Sequence, residues 1–114
     1  MKYASFDELP EYEPTGHDGV INRLLVGAAN WGVDVASIWH GNLAPGGHAD
    51  LHIHPGSIQV YVGMSGTMIV GDGRREETLE RLGTVMFDAG ETHFIANRSD
   101  RDAEVLVVSV PGLR

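Results

Sequence analysis

The stretch "GGHADLHIHPGSIQVYV", residues 46–62, sets His52 and His54 one residue apart and places Gln59 five residues beyond. In an extended strand, side chains two positions apart point to one face. His52 and His54 then project together, while Leu51 and Ile53 face the other way. Two neutral imidazoles on one rigid strand can chelate a divalent transition ion, and an amide oxygen is an acceptable further donor. A His-x-His pair on its own is more often the half-exposed polar face of a strand. Tyr61 lies two residues after Gln59 and shares its face, which makes it the candidate proton-transfer group. An aromatic side chain at such a position is more often simply barrel wall. His48 falls in "APGGHAD", a turn-like composition, and is expected in a solvated loop.

Composition narrows the chemistry. The chain has 114 residues, six histidines and no cysteine, so any metal must be held by nitrogen and oxygen donors. The length suits one compact domain that buries roughly 65% of its unfolded surface. The formal net charge is −8, and the eight basic residues are scattered, with Arg74 and Arg75 the one adjacent pair. Nucleic acid and anionic membrane surfaces are therefore not expected partners. The N-terminal stretch has no apolar core of the signal-peptide kind, and no apolar run approaches the ~20 residues of a membrane span. A cytoplasmic protein is the expectation.

The elements that must carry these residues read as β. Residues 1–20 are acidic, contain Pro10 and Pro14, and are expected to form an N-terminal arm, with one turn of helix at "SFDE". From residue 21 to 114 short Val-, Ile- and Leu-rich runs alternate with Gly, Pro, Asn and Asp clusters. "VDVASIWH", "LHIH", "IQVYVGM", "TMIV", "TVMF", "THFIAN" and "AEVLVVSV" are predicted strands. "EETLERL" has helical composition but is confined between Gly73 and Gly83, and is predicted to be a strand. In "VDVASIWH" the phase of Val33, Val35 and Ser37 turns Trp39 inward and leaves His40 outside. Residues 105–110 are apolar at nearly every position, as in a strand covered on both faces, with a dimer partner as one source of cover. Met64, Met68, Met86, Phe87 and Phe94 are expected to supply apolar wall. About eight to ten strands with no long helix predict an all-β sandwich or barrel.

In this order the motifs resemble those of the small single-domain cupins, which are jelly-roll β-barrels. The first cupin motif commonly runs G-x5-H-x-H-x4-E-x6-G, and Gly46, His52, His54, Gln59 and Gly66 stand at those intervals, with Gln in the Glu position. The second commonly runs G-x5-P-x-G-x2-H-x3-N, matched by Gly83, Gly90, His93 and Asn97. Its first interval is one residue short, and Asp88 stands where Pro is usual. Sixteen residues, 67–82, separate the two motifs. The resemblance covers roughly residues 20–112. It implies metal ligands at His52, His54, Gln59 and His93, a structural role for Asn97, and a homodimer. It leaves the ion open among Fe, Ni, Zn, Mn and Cu. Cupins acting on unsaturated uronates also carry Gln in the Glu position, but they have an acidic residue on the last strand. The corresponding residues 107–111, "VVSVP", have none, so that activity is not carried over.

A shell of three histidines and one glutamine leaves the charge of a divalent ion uncompensated. Such a site favours an anionic oxygen ligand. The expected function is a metal-dependent enzyme, a dioxygenase or a redox-neutral isomerase or lyase, acting on a small organic molecule with carboxylate or enol oxygens. The contrasting expectation is a non-catalytic module that binds a small molecule or sugar in the same pocket. A third is a structural barrel whose histidines are residual.

Overall fold

The computed structural model describes residues 1–113. Arg114, the last residue of the expected domain, lies outside the described residues. Eight strands follow a short 3-10 turn at Phe6–Glu8: β1 (His17–Val26), β2 (Ser37–His52), β3 (Ile58–Ser65), β4 (Met68–Gly71), β5 (Glu76–Leu79), β6 (Thr84–Phe87), β7 (His93–Ala96) and β8 (Ala103–Val110). One helical turn, α1 (Ala28–Trp31), joins β1 to β2. Hydrogen bonds link the strands in the order β5-β4-β7-β2-β8-β3-β6, with β1 against β2, and the sheet curls into a nearly closed barrel. The all-β jelly-roll expectation holds. Among the described residues no helix is long and apolar enough to cross a membrane.

β2 is the element that makes the barrel. Its first half pairs with β8, from Ser37↔Ser109 to Leu43↔Ala103, and its second half pairs with β7, beginning at His48↔Ala96. The changeover falls at residues 44–47, where the partners on β1 jump from Val20↔Leu43 to Asp18↔His48. Extra residues on one strand bend it and re-aim the side chains beyond the bend. Glycines permit the crossing: a Cβ on Gly47 would stand 2.4 Å from the Gly19 carbonyl oxygen, and Gly46 has φ +80°. Asn97 clamps the bend. Its side-chain amide donates to the carbonyls of Leu43, Ala44 and Arg101 at 2.7–3.2 Å, and it exchanges main-chain hydrogen bonds with Gly46 and Gly47. Asn97 thus serves the barrel.

The core lies between the two halves of the curled sheet and includes Val20, Leu43, Tyr61, Met68, Val70, Leu79, Phe87, Ile95 and Val105. β5 is the strand expected within "EETLERL". Four expectations change. "APGGHAD" is not a loop but the bent middle of β2, so His48 is a strand residue. "VDVASIWH" becomes strand at Ser37 only, and Val35 is exposed, because the chain leaves α1 in an irregular segment. Of the expected apolar wall, Met68 and Phe87 are buried, but Met64 and Met86 are exposed. The register explains it: Gln59↔Phe87 faces inward, so Val60↔Met86 faces outward. β8 is not covered on both faces of this chain. Ala103, Val105 and Ser109 are buried, Leu106 and Val108 only half-buried, and Val110 exposed. The segment read as an arm contains the 3-10 turn, an isolated bridge Tyr12↔Asn22, and, from His17, the start of β1.

Candidate metal centre

A second irregularity in β2 aims the first histidine. The pairing passes from Ala49↔Ile95 to His52↔His93, three residues on β2 against two on β7. That bulge turns His52 inward, where unbroken alternation from the inward Ala49 would have turned Leu51 inward instead. Leu51 and Ile53 are exposed, and His54, just past the end of β2, points to the same side as His52. His93 opens β7 opposite His52. A turn at 88–91 delivers it, with the Glu91 amide donating to the Asp88 carbonyl. Gly90, at φ +79°, donates its amide to the His54 carbonyl and ties the turn to β2. The ring centroids of His52 and His93 lie 4.3 Å apart, those of His52 and His54 5.0 Å, and those of His54 and His93 5.5 Å. One nitrogen from each ring lies within 4.8 Å of the others.

The hydrogen bonds define which nitrogens are free. His93 Nδ1 is 2.8 Å from the Glu91 carbonyl oxygen, and His52 Nδ1 is 2.6 Å from that of Asp50. A carbonyl only accepts, so each Nδ1 carries the proton and each neutral ring keeps a lone pair on Nε2. A backbone acceptor behind a ligating histidine is the usual outer support of a metal site. Gln59, buried on β3, donates its amide nitrogen to the Ser109 hydroxyl at 3.0 Å. This leaves its Oε1 2.9 Å from His93 Nε2. The Gln59 side-chain amide thus reaches the inner nitrogen of His93 at hydrogen-bond distance. Burial, the largest influence, lowers the His93 pKa to about 4, with like-charge neighbours His52 and His54 acting in the same direction. Convergent lone pairs from three imidazoles and an amide are a donor set that fits a divalent transition ion. Phe87 stacks on His93 at 4.6 Å and 17°, which fixes the ring from behind.

The sequence did not single out His17. It opens β1, with its ring centroid 5.9 Å from that of His52. Its Nδ1 is buried and has no hydrogen-bond partner. Burial lowers its pKa first and the neighbouring His52 second, and the pKa of His54 is lowered for the same two reasons. Nothing within residues 1–20 marked it, because it reaches the cluster only through the β1–β2 pairing. His48 does the opposite. It lies on the outer side of β2, with Nε2 3.2 Å from Asp50 and Nδ1 bonded to the Gly46 carbonyl. Tyr61 is both wall and lining: its ring meets Phe87 and His93 edge-on, and it lines the cavity in front of the cluster. Burial raises its pKa, so the hydroxyl keeps its proton.

That cavity measures about 970 Å³, and its lining includes His17, His52, His54 and Gln59 as well as Tyr12 and Trp39. Most of its wall is aliphatic or aromatic. Trp39 faces into it, as the phase of "VDVASIWH" predicts, and His40 faces out.

A jelly-roll barrel with a histidine cluster lining its cavity defines the class. Residues 39–109 match the cupin domain family, and the chain belongs to it. An oxalate-binding protein of Thermotoga maritima is 29% identical over 68 residues, which are 60% of this chain and 56% of that protein. The tetracenomycin polyketide synthase protein TcmJ of Streptomyces glaucescens is 29% identical over 93 residues, 82% of this chain and 62% of that protein. The chain therefore spans less than two thirds of the length of either relative. A crystal structure from Thermotoga maritima described as a predicted oxalate decarboxylase superposes with a TM-score of 0.85 at 23% identity. It covers 96% of this chain and 99% of that one, a likeness of fold.

Proposed function

We propose that His52, His54, His93 and Gln59 hold one divalent transition ion, and that the protein is an enzyme acting on a small organic molecule with carboxylate or enol oxygens. The observation that carries this reading is the convergence of His52, His54 and His93, one nitrogen of each within 4.8 Å of the others, with the Gln59 amide 2.9 Å from His93 Nε2. A bound ion of the Fe, Ni, Zn, Mn or Cu class would supply Lewis acidity to a substrate oxygen. The chain's own residues do the rest. Neutral Gln59 leaves the site a net positive charge that an anionic oxygen would satisfy. Tyr61, which lines the cavity, is the residue assigned to donate a hydrogen bond to a substrate oxygen. The apolar walls exclude water and strengthen both effects. Dioxygenase and redox-neutral isomerase or lyase chemistry both suit this arrangement. The relative named for oxalate binding supports a second reading, a binding protein without turnover. The half-exposed apolar outer face of β8 is the proposed homodimer contact.

Elemental analysis of the purified protein, then reconstitution with each of the five metals, tests the centre; no uptake of any of them would end this reading. Oxygen consumption by the loaded protein with candidate enolic and carboxylic substrates separates the two chemistries. Binding without turnover of any of them favours the second reading.

A further inference from the structure

The cavity is far larger than a small dianion needs, and its charges are wrong for one. Its volume of about 970 Å³ lies at the upper end of pockets that enclose drug-sized ligands. A two-carbon dicarboxylate would leave most of it to water. Among the described residues no Lys or Arg lines it, and Asp50 is the one acid that does. Arg23, also on β1, is turned away and committed to Glu11 and to the carbonyls of Phe6 and Leu9. A second anionic group placed away from the histidines would thus be desolvated without a partner. His17, His52, His54, Gln59 and Tyr61 line this cavity together with Leu24, Val107, Trp39 and Tyr12, and Val107 on β8 is the strand partner of both Tyr61 and Trp39. The rings of Trp39 and Tyr12 pack 5.8 Å apart at 39° and form a two-ring stretch of the wall.

Building on the metal-centre reading, we propose that the substrate is a largely apolar, ring-bearing molecule whose one polar end is an enol–carbonyl oxygen pair. The enolate carries a single negative charge spread over two oxygens, which suits a shell with no carboxylate. The ring system lies against Trp39 and Tyr12, where aromatic contact and burial of apolar area favour it.

Three probes test this by calorimetry on zinc-loaded protein: acetylacetone, benzoylacetone and oxalate. The first two share the chelating end and differ by one ring. Benzoylacetone should bind at least tenfold tighter than acetylacetone and tighter than oxalate. Trp39→Ala should remove most of that tenfold and leave acetylacetone unchanged. Tyr12→Ala, at an exposed residue ahead of β1, should remove about threefold without a folding risk. Oxalate binding tightest, or a ring advantage that survives both substitutions, overturns the proposal. The same ratio measured on metal-free protein separates this idea from the one beneath it. If no metal loads yet the ring advantage persists and depends on Trp39, the metal reading fails and the apolar site stands. If metal loads and the ring advantage is absent, the apolar site fails alone.

Discussion

His40 and His93 are the same residue type in opposite settings. His40 faces out from β2, with Nε2 2.6 Å from the carboxylate of Glu104 on β8, and the ring of Phe6 meets it edge-on at 4.8 Å. Glu104 also accepts from the Ser65 hydroxyl, and these two hydrogen bonds, that of His40 first, hold its carboxyl below the usual range. His93 is buried among two other imidazoles, an aromatic ring and an amide oxygen, with no carboxylate on it. Proximity in sequence or space to a polar partner therefore says little by itself. What separates the two is the sign of the partner: a carboxylate satisfies His40, whereas His93 meets only neutral groups. The first arrangement ties two strands together. The second asks for a cation.

The sharpest way to break this contrast is to remove one ligand. Metal sites built on four protein donors draw about 10–16 kcal/mol from them. Losing one of four should therefore weaken binding by on the order of a hundred- to a thousandfold. His52→Ala is the better choice than a substitution at His93, since His52 is half-buried and its loss spares the core. Competition titration with a chelating dye reads the effect. Unchanged metal affinity in His52→Ala would mean that the cluster is not a metal centre.

Gln59→Glu probes the same contrast by changing a sign. Without metal, a carboxylate at this buried position can be paired only by protonating His93, which burial disfavours, and the substitution should cost up to about 3 kcal/mol in urea unfolding. With metal bound, the added negative charge should recover that loss and raise affinity. Equal stability of the substituted and parent proteins, with and without metal, would show that no charge is housed there.

Acid should separate the two histidines in the metal-free protein. The His93 pKa is about 4 when folded, against 6.5 for an ordinary histidine. The unfolded chain then binds a proton that the folded chain refuses, and stability falls as pH drops through that window. The depressed pKa values of His54 and His17 act in the same direction. Unfolding free energy should be full above about pH 6.5 and lower by about 2–3 kcal/mol near pH 4. Bound metal should flatten the upper part of the slope, because it competes with the proton for the same lone pairs. A pH-independent stability in the metal-free protein would contradict the buried, partnerless setting of these rings.

The division between what the sequence disclosed and what it hid runs along the same lines. The strands showed in the alternation of apolar residues, and the cluster in the spacing of His52, His54, Gln59 and His93, because both are local or nearly fixed by interval. Trp39 was legible for that reason. What escaped depends on bulges and long-range pairing. The bend at 44–47 made a strand look like a loop, and with it His48 was misplaced. His17 carries no local signal at all; it reaches the cluster only because β1 crosses β2 beside Ala49. The exposure of Met86 hangs on the register of β3 with β6, which no single segment encodes.

The smallest expected effect belongs to the histidine with a carboxylate. The His40–Glu104 pair is part-exposed, and such pairs contribute about 0–1 kcal/mol. His40→Ala should cost at most that in urea unfolding at pH 7, with some of the loss coming from the ring contact with Phe6. Metal content and affinity should not move, since Glu104 retains Ser65 as a donor and lies on the outer face of β8. A drop in metal affinity in this variant would link the outer face of the sheet to the cluster through Trp39, and would show that the partner's sign is not what divides the two histidines. An unchanged affinity beside the collapse expected for His52→Ala would place the metal chemistry on the inner face alone.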